Sequence, residues 1–161
     1  IQMAKLAGAR VLTTVGSDDK IAKAKTLGAD EVINHTREQV NQRVRELTHR
    51  RGVDVVIEHI GPEVWGQCVD SLAKGGRLVT CGATGGPQVE LDLRRLFWFQ
   101  WSLLGSTMGT SREFAAVVAH GNDGRFRPPV DALFPLAEGA AAYQRLAAGT
   151  QFGKLVLEVS P

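Results

Sequence analysis

Segments with strand character alternate with segments of helical periodicity along these 161 residues, which predicts an α/β domain on a doubly wound parallel sheet. Three observations carry that prediction. Short β-branched runs recur at residues 11–15, 31–34, 53–57 and 77–81, and intervening segments place apolar side chains at helical spacing. The run at 53–57 (VDVVI) is almost continuously apolar, as expected of a strand covered on both faces. Glycine or proline stands at most of the junctions, where parallel strands joined by right-handed crossovers need their turns.

Taken in order, Ile1, Lys5, Leu6 and Gly8 read as the last turn of a helix, with a basic residue near its end and a glycine stop. The strand at 11–15 follows. Ser17 or Asp18 is expected to cap a helix whose buried stripe is Ile21, Ala24 and Leu27, ended by Gly28. After the strand at 31–34, Thr36 and Gln39 have the spacing of a capping box for a helix bearing Val40, Val44 and Leu47. Pro62 sits at the first turn of the next helix, which turns Val64, Trp65, Cys68, Val69 and Leu72 inward.

Gly75-Gly76 should turn the chain into a buried strand at 77–81, followed by the glycine-rich loop 82–87. A short helix is expected over 91–99 and a strand over 100–106. Ser111 fits the cap of a helix carrying Phe114, Val117 and Val118. A loop at 121–129, an extended piece at 130–134, a helix at 136–146 and a strand at 154–159 complete the reading.

Composition narrows the classes of function. The chain is 43% hydrophobic and 22% charged with a formal charge of +2, ordinary values for one soluble domain. No block of like charge argues for nucleic acid or an anionic membrane surface. The most apolar stretch, residues 96–104, is too short to span a bilayer. Cys68 and Cys81 stand far apart in apolar surroundings and are expected to be buried thiols rather than a disulfide. His35, His49, His59 and His120 have no ligand-like spacing, so no metal site is expected. A cytoplasmic location is expected.

Four segments become specific together: LGADEVIN at 27–34, GGRLVTCGATGG at 75–86, LLGSTMG at 103–109 and FGKLVLEV at 152–159. In this order and spacing the chain resembles the medium-chain dehydrogenase/reductase superfamily, in its zinc-type alcohol dehydrogenase and quinone oxidoreductase branches. The resemblance covers essentially the whole chain. It implies a Rossmann sheet, with residues 1–128 forming part of a dinucleotide-binding domain and 129–161 a C-terminal segment completing the family's core. It also implies that the family's first strand and glycine-rich turn lie upstream of Ile1. The N-terminal catalytic domain, and any zinc it binds, has no counterpart here. The implied activity is hydride transfer between NADP(H) and an alcohol or carbonyl, a quinone or an activated alkene, with a small-molecule substrate. A methyltransferase domain on the same kind of sheet and a non-catalytic cofactor-binding protein stand as alternatives.

Site residues follow from where such sheets bind ligands, at the carboxyl ends of parallel strands. At the end of the second strand of a dinucleotide domain an acid selects NAD by bonding the ribose 2′-hydroxyl. By the resemblance that position is Val15, followed by Gly16 and Ser17, with Lys20 one turn on. Ser17 and Lys20 are candidates to hold a 2′-phosphate, which favours NADP and leaves NAD open. The competing reading makes Ser17 a helix cap and Lys20 a solvated lysine. His59, Ile60 and Gly61, then Gly82, Ala83 and Thr84, follow two buried strands; small residues there let backbone approach a ribose or nicotinamide. The resemblance adds Ser106, Thr107 and Met108 as backbone partners of the carboxamide, and Lys154 near the phosphates. No residue is assigned a catalytic role, and Glu58 reads either as a buried structural acid or as a group behind the site.

The aromatic stretch Phe97-Trp98-Phe99 before the strand at 100–106 is unusual for a sheet edge. Family members join such edges, so a homodimer through residues 98–106 is expected. The missing first strand would lie between the strands at 11–15 and 53–57, so residues 1–161 alone are expected to fold poorly, bind dinucleotide weakly and lack activity.

Overall fold

A computed structural model describes residues 1–159; the last two residues of the expected C-terminal segment lie outside the described residues. The chain divides into two compact units, Arg10–Thr110 with Ile1, and Gln2–Ala9 with Ser111 to the C-terminus.

In the first unit, β1 (Leu12–Val15) pairs in parallel with β2 (Glu31–Asn34), with Val15 opposite Asn34. The crossover is α2 (Asp19–Thr26), which buries Ala24. Val11, Val15, Ala29 and Ile33 are the buried apolar residues of this pair and its ends. The helix α3 (Val40–Leu47) turns Val44 inward. A second parallel sheet runs in the order β3 (Val53–Glu58), β4 (Leu72–Thr80) and β5 (Ser102–Gly105). The helix α4 (Pro62–Ser71) connects β3 to β4, and α5 (Leu93–Trp98) precedes β5. All pairings are parallel, as a doubly wound sheet requires. Among the described residues no strand pairs with β1 on its other side, and β3 likewise has a single partner.

The core of this unit is Trp65 and Val69 on α4, Leu72 and Leu78 on β4, and Trp101, with Val56, Cys68, Leu96 and Phe99 packed around them. Trp101 donates its indole N–H to the Ala73 carbonyl (2.9 Å), stacks on Phe99 at 5.0 Å and carries the Arg95 guanidinium 5.2 Å above its ring. The aromatic segment before β5 is therefore held by a satisfied polar handle as well as by apolar burial.

In the second unit, β6 (Val130–Pro135) and β7 (Lys154–Glu158) form a parallel pair bridged by a 3-10 turn and α7 (Gly139–Ala147). Two helices complete it, α1 (Gln2–Leu6) and α6 (Ser111–Asn122). Gln2 exchanges two hydrogen bonds with the backbone of Arg127, its side-chain amide donating at 2.9 Å and accepting at 2.7 Å.

Several local expectations give way to tertiary contacts. The capping box at Thr36 and Gln39 does not form. Instead Thr36 donates its hydroxyl to Asn34 Oδ1 (2.7 Å), and the first N–H of α3, at Val40, is satisfied by Gln67 Oε1 from α4 (2.7 Å). Asp18 stands at the N-cap of α2, yet its carboxylate accepts from Asn34 Nδ2 (2.7 Å) and pairs with Arg37 rather than capping. The strand β3 is not covered on both faces: Val56 and Glu58 face α4, while Val55 is 47% and Ile57 70% exposed. Nor do Gly75 and Gly76 precede their strand. They form a bulge inside β4, with the pairing slipping between Val53 and Val55 and Gly75 donating to the Phe99 carbonyl (2.8 Å). Both thiols are free, but only Cys68 is partly buried and Cys81 is exposed, because β4 ends at Thr80 and Cys81 already belongs to the loop.

Candidate functional site

The carboxyl ends of β3, β4 and β5 converge on a cavity of about 630 Å³. Five of the residues expected there line it: Gly61, Gly82, Ala83, Ser106 and Thr107. The turn after β3 is built by Glu58, which is 5% exposed. Its Oε2 accepts the backbone N–H groups of Ile60 (3.0 Å) and Gly61 (2.9 Å), so one carboxylate oxygen folds the chain back on itself.

That turn then organises the next loop. The Ile60 carbonyl accepts from Gly85 N (2.7 Å), and the His59 carbonyl accepts both the backbone N–H and the hydroxyl of Thr84. Two glycines make the fit possible. Gly61 has φ +95°, and a Cβ there would stand 2.8 Å from the Gly86 carbonyl oxygen; a Cβ at Gly82 would stand 3.0 Å from that of His59. His59 and Ile60 thus shape the loops through backbone groups, and Thr84 through its backbone N–H and hydroxyl, without lining the cavity. The His59 side chain is exposed. On the third strand, Ser106 N bonds the Thr80 carbonyl (2.9 Å), which brings Ser106 and Thr107 to the opening. Met108 follows in a left-handed conformation (φ +49°), is 98% exposed and does not line the cavity.

A second group of predicted residues stands at the ends of β1 and β2. Ser17 hydrogen-bonds Asp19 and holds that carboxyl below its usual range, with Lys20 adding to the effect. Asp18 is likewise lowered, first by the Asn34 hydrogen bond and then by Arg37. Two residues that sequence reasoning missed complete this corner. The His35 ring lies 3.4 Å from where a Cβ on Gly16 would be, and Arg37 neutralises Asp18. Only the folded strands bring this pair together: the β1–β2 register sets Val15 opposite Asn34, so Gly16 and His35 emerge side by side. Lys154, the remaining candidate, begins β7 in the other unit and is exposed.

Other cavity-wall residues were unanticipated as such, Cys81, Trp65 and Glu58 among them. Cys81 lines it, its Sγ 3.7 Å from the Glu58 carbonyl. Trp65 and Glu58 line it too, and the Trp65 Nε1 donor and Glu58 Oε1 acceptor are buried without a hydrogen-bond partner. Behind the wall, burial and the Glu58 charge push the Cys68 thiol up to about 11. Among the described residues no group of three or more His, Cys, Asp or Glu could hold a metal ion, and no helix is long and apolar enough to cross a membrane.

Residues 1–122 match the family model described as zinc-binding dehydrogenase. A quinone oxidoreductase of Pseudomonas aeruginosa is 32% identical over 97% of this chain and 51% of its own length. The crotonyl-CoA reductase of Streptomyces collinus is 30% identical over 88% of this chain and 36% of its own length. Among solved structures, an NAD-dependent alcohol dehydrogenase superposes with a TM-score of 0.90 at 38% identity, over 99% of this chain and 46% of that one. The chain belongs to the zinc-binding dehydrogenase family, within the medium-chain dehydrogenase/reductase superfamily, and its sheet is of the Rossmann type. It spans about half the length, or less, of these relatives.

Proposed function

We propose that the protein is an oxidoreductase that moves a hydride between NADP(H) and a small molecule: an alcohol or carbonyl, a quinone or an activated alkene. The observation that carries this reading is the convergence of the ends of β3, β4 and β5 on one glycine-walled cavity, in a chain of the dehydrogenase family. The family assignment replaces the methyltransferase alternative.

The residues present fit a dinucleotide. Gly61, Gly82 and Gly85 leave backbone where a side chain would intrude, and Ser106 and Thr107 offer peptide groups at the rim. The chain binds and orients; the hydride chemistry is the nicotinamide's when it is bound. Glu58 holds the turn that fixes one wall, and Thr84 ties the second wall to it.

The preference for NADP rests on the ends of β1 and β2. Val15 offers no acceptor to a ribose hydroxyl, and Asp18 is engaged by Asn34 and Arg37. Ser17 and Lys20 both act on the Asp19 carboxyl, and the His35 ring stands beside Gly16, at the strand ends where a 2′-phosphate would sit. NAD is the second reading, favoured by the NAD-dependent dehydrogenase among the structural neighbours. Lys154 near the phosphates, any zinc on residues outside this chain and a cytoplasmic location with free thiols belong to the same proposal. So does a homodimer: β5 leaves Leu103 37% and Leu104 46% exposed on a sheet edge, beside Trp98 at 72%.

The test is calorimetric titration of the full-length protein with NADPH, NADH and S-adenosylmethionine. NADPH should bind most tightly. Binding of none of them would overturn this reading, and NADPH binding without NADPH oxidation in a screen of quinones and aldehydes would leave the non-catalytic alternative.

A further inference from the structure

Cys81 is an exposed thiol on the wall of the cavity, immediately after the last residue of β4 and next to Gly82. Two other features of the same wall point to a ligand. Glu58, 5% exposed, carries an acceptor oxygen with no partner, and Trp65, 9% exposed, carries an indole N–H with none. Buried polar atoms in a folded protein are nearly always partnered, so an unmatched donor and acceptor on one cavity wall mark a place where polar groups of a ligand belong.

We infer that Cys81 is a covalent modification site for electrophilic alkenes and quinones that enter this cavity, and that its adduct excludes the nucleotide. The inference rests on the proposed function, because the activated alkenes and quinones proposed as substrates are themselves thiol acceptors. The reaction is a conjugate addition. A carbon–sulfur bond forms between Cys81 Sγ and the alkene carbon β to the carbonyl, and the thiol proton ends on the α-carbon. With a quinone the ring closes the balance as the hydroquinone. No further oxidant or reductant takes part. The adduct fills space beside Gly82, where a Cβ would already stand 3.0 Å from the His59 carbonyl oxygen.

The second cysteine is the internal control. Cys68 is only partly exposed, and burial together with the Glu58 charge keeps its thiol protonated. A substrate-class electrophile should therefore discriminate between the two.

The experiment treats the full-length protein with methyl vinyl ketone or 1,4-benzoquinone, with and without saturating NADPH, and follows each cysteine by peptide mass spectrometry. NADPH binding by the unmodified protein is measured in parallel. Expected results are modification of Cys81 at least tenfold faster than Cys68, protection of Cys81 by NADPH of at least tenfold, and loss of NADPH binding after modification. Cys81→Ser should abolish the adduct. If the unmodified protein binds NADPH but Cys81 is unmodified, or reacts at the same rate with the nucleotide present, the inference is wrong and the proposed function stands. Absence of NADPH binding by the unmodified protein overturns the cofactor reading and the mutual exclusion with it. The rate ratio of Cys81 to Cys68 then decides the modification site by itself, equal rates rejecting it.

Discussion

Glu58 Oε2 and the backbone N–H of Gly61 lie 2.9 Å apart in the buried turn after β3. This bond makes the candidate site a coupled unit. The carboxylate fixes residues 60–61, and the carbonyls of His59 and Ile60 then hold Thr84 and Gly85 of the second loop. Glu58→Ala should remove an acceptor shared by two largely buried N–H groups and cost about 2 kcal/mol of stability. Nucleotide affinity should fall more than in destabilised variants remote from the site. Glu58→Gln keeps an acceptor oxygen and should restore most of both. Urea unfolding and calorimetric titration measure the two effects.

Gly61 is the second half of that relationship. Gly61→Ala places a Cβ 2.8 Å from the Gly86 carbonyl oxygen at a φ of +95°. The strain should cost about 1–3 kcal/mol. A midpoint of urea unfolding equal to that of the parent protein would contradict the packing described here.

Much of the fold was legible because it rests on local patterning. The apolar spacing of Trp65, Cys68 and Val69 announces the buried face of α4, and β-branched runs mark the strands. What escaped was set by distant partners. Thr36 and Gln39 lose their capping box because Asn34 and Gln67 make better-placed bonds. The alternation within β3 matters more than its apolar content, since Val55 and Ile57 point away from α4. At the site, the glycine-rich loops could be read from their positions after buried strands. The clamp by Glu58 could not, because a side chain bonding its own backbone two and three residues on leaves no trace in hydropathy. His35 and Gly16 are brought together only by strand register.

The N-cap of α5 gives a pH dependence with a definite sign. Asp92 accepts from Arg94 N at 2.9 Å and pairs with the Arg94 guanidinium, which lowers its carboxyl from 3.8 to about 2. A carboxyl whose folded pKa is depressed stabilises the fold above its unfolded pKa and loses that contribution as pH falls through the folded value. The contribution of Asp92 should therefore be complete above about pH 4 and vanish toward about pH 2. Asp92→Asn should flatten that window of the stability profile. Urea midpoints measured across this range, with parent and variant showing the same slope, would contradict the cap.

The exposed edge at β5 predicts assembly. Leu103→Lys, on a strand whose four residues are all exposed, should shift the full-length protein from dimer toward monomer in sedimentation velocity. An unchanged oligomer would remove β5 from the interface.

We propose that this chain holds NADP(H) by the ends of its strands, with Ser17, Lys20 and His35 reading the 2′-phosphate. Titration of the full-length protein and its Lys20→Ala variant with NADPH and NADH tests it most directly. The predicted result is NADPH binding at least tenfold tighter than NADH, with Lys20→Ala narrowing that preference and leaving NADH affinity unchanged. Equal affinity for the two nucleotides, or a preference for NADH, would contradict the account.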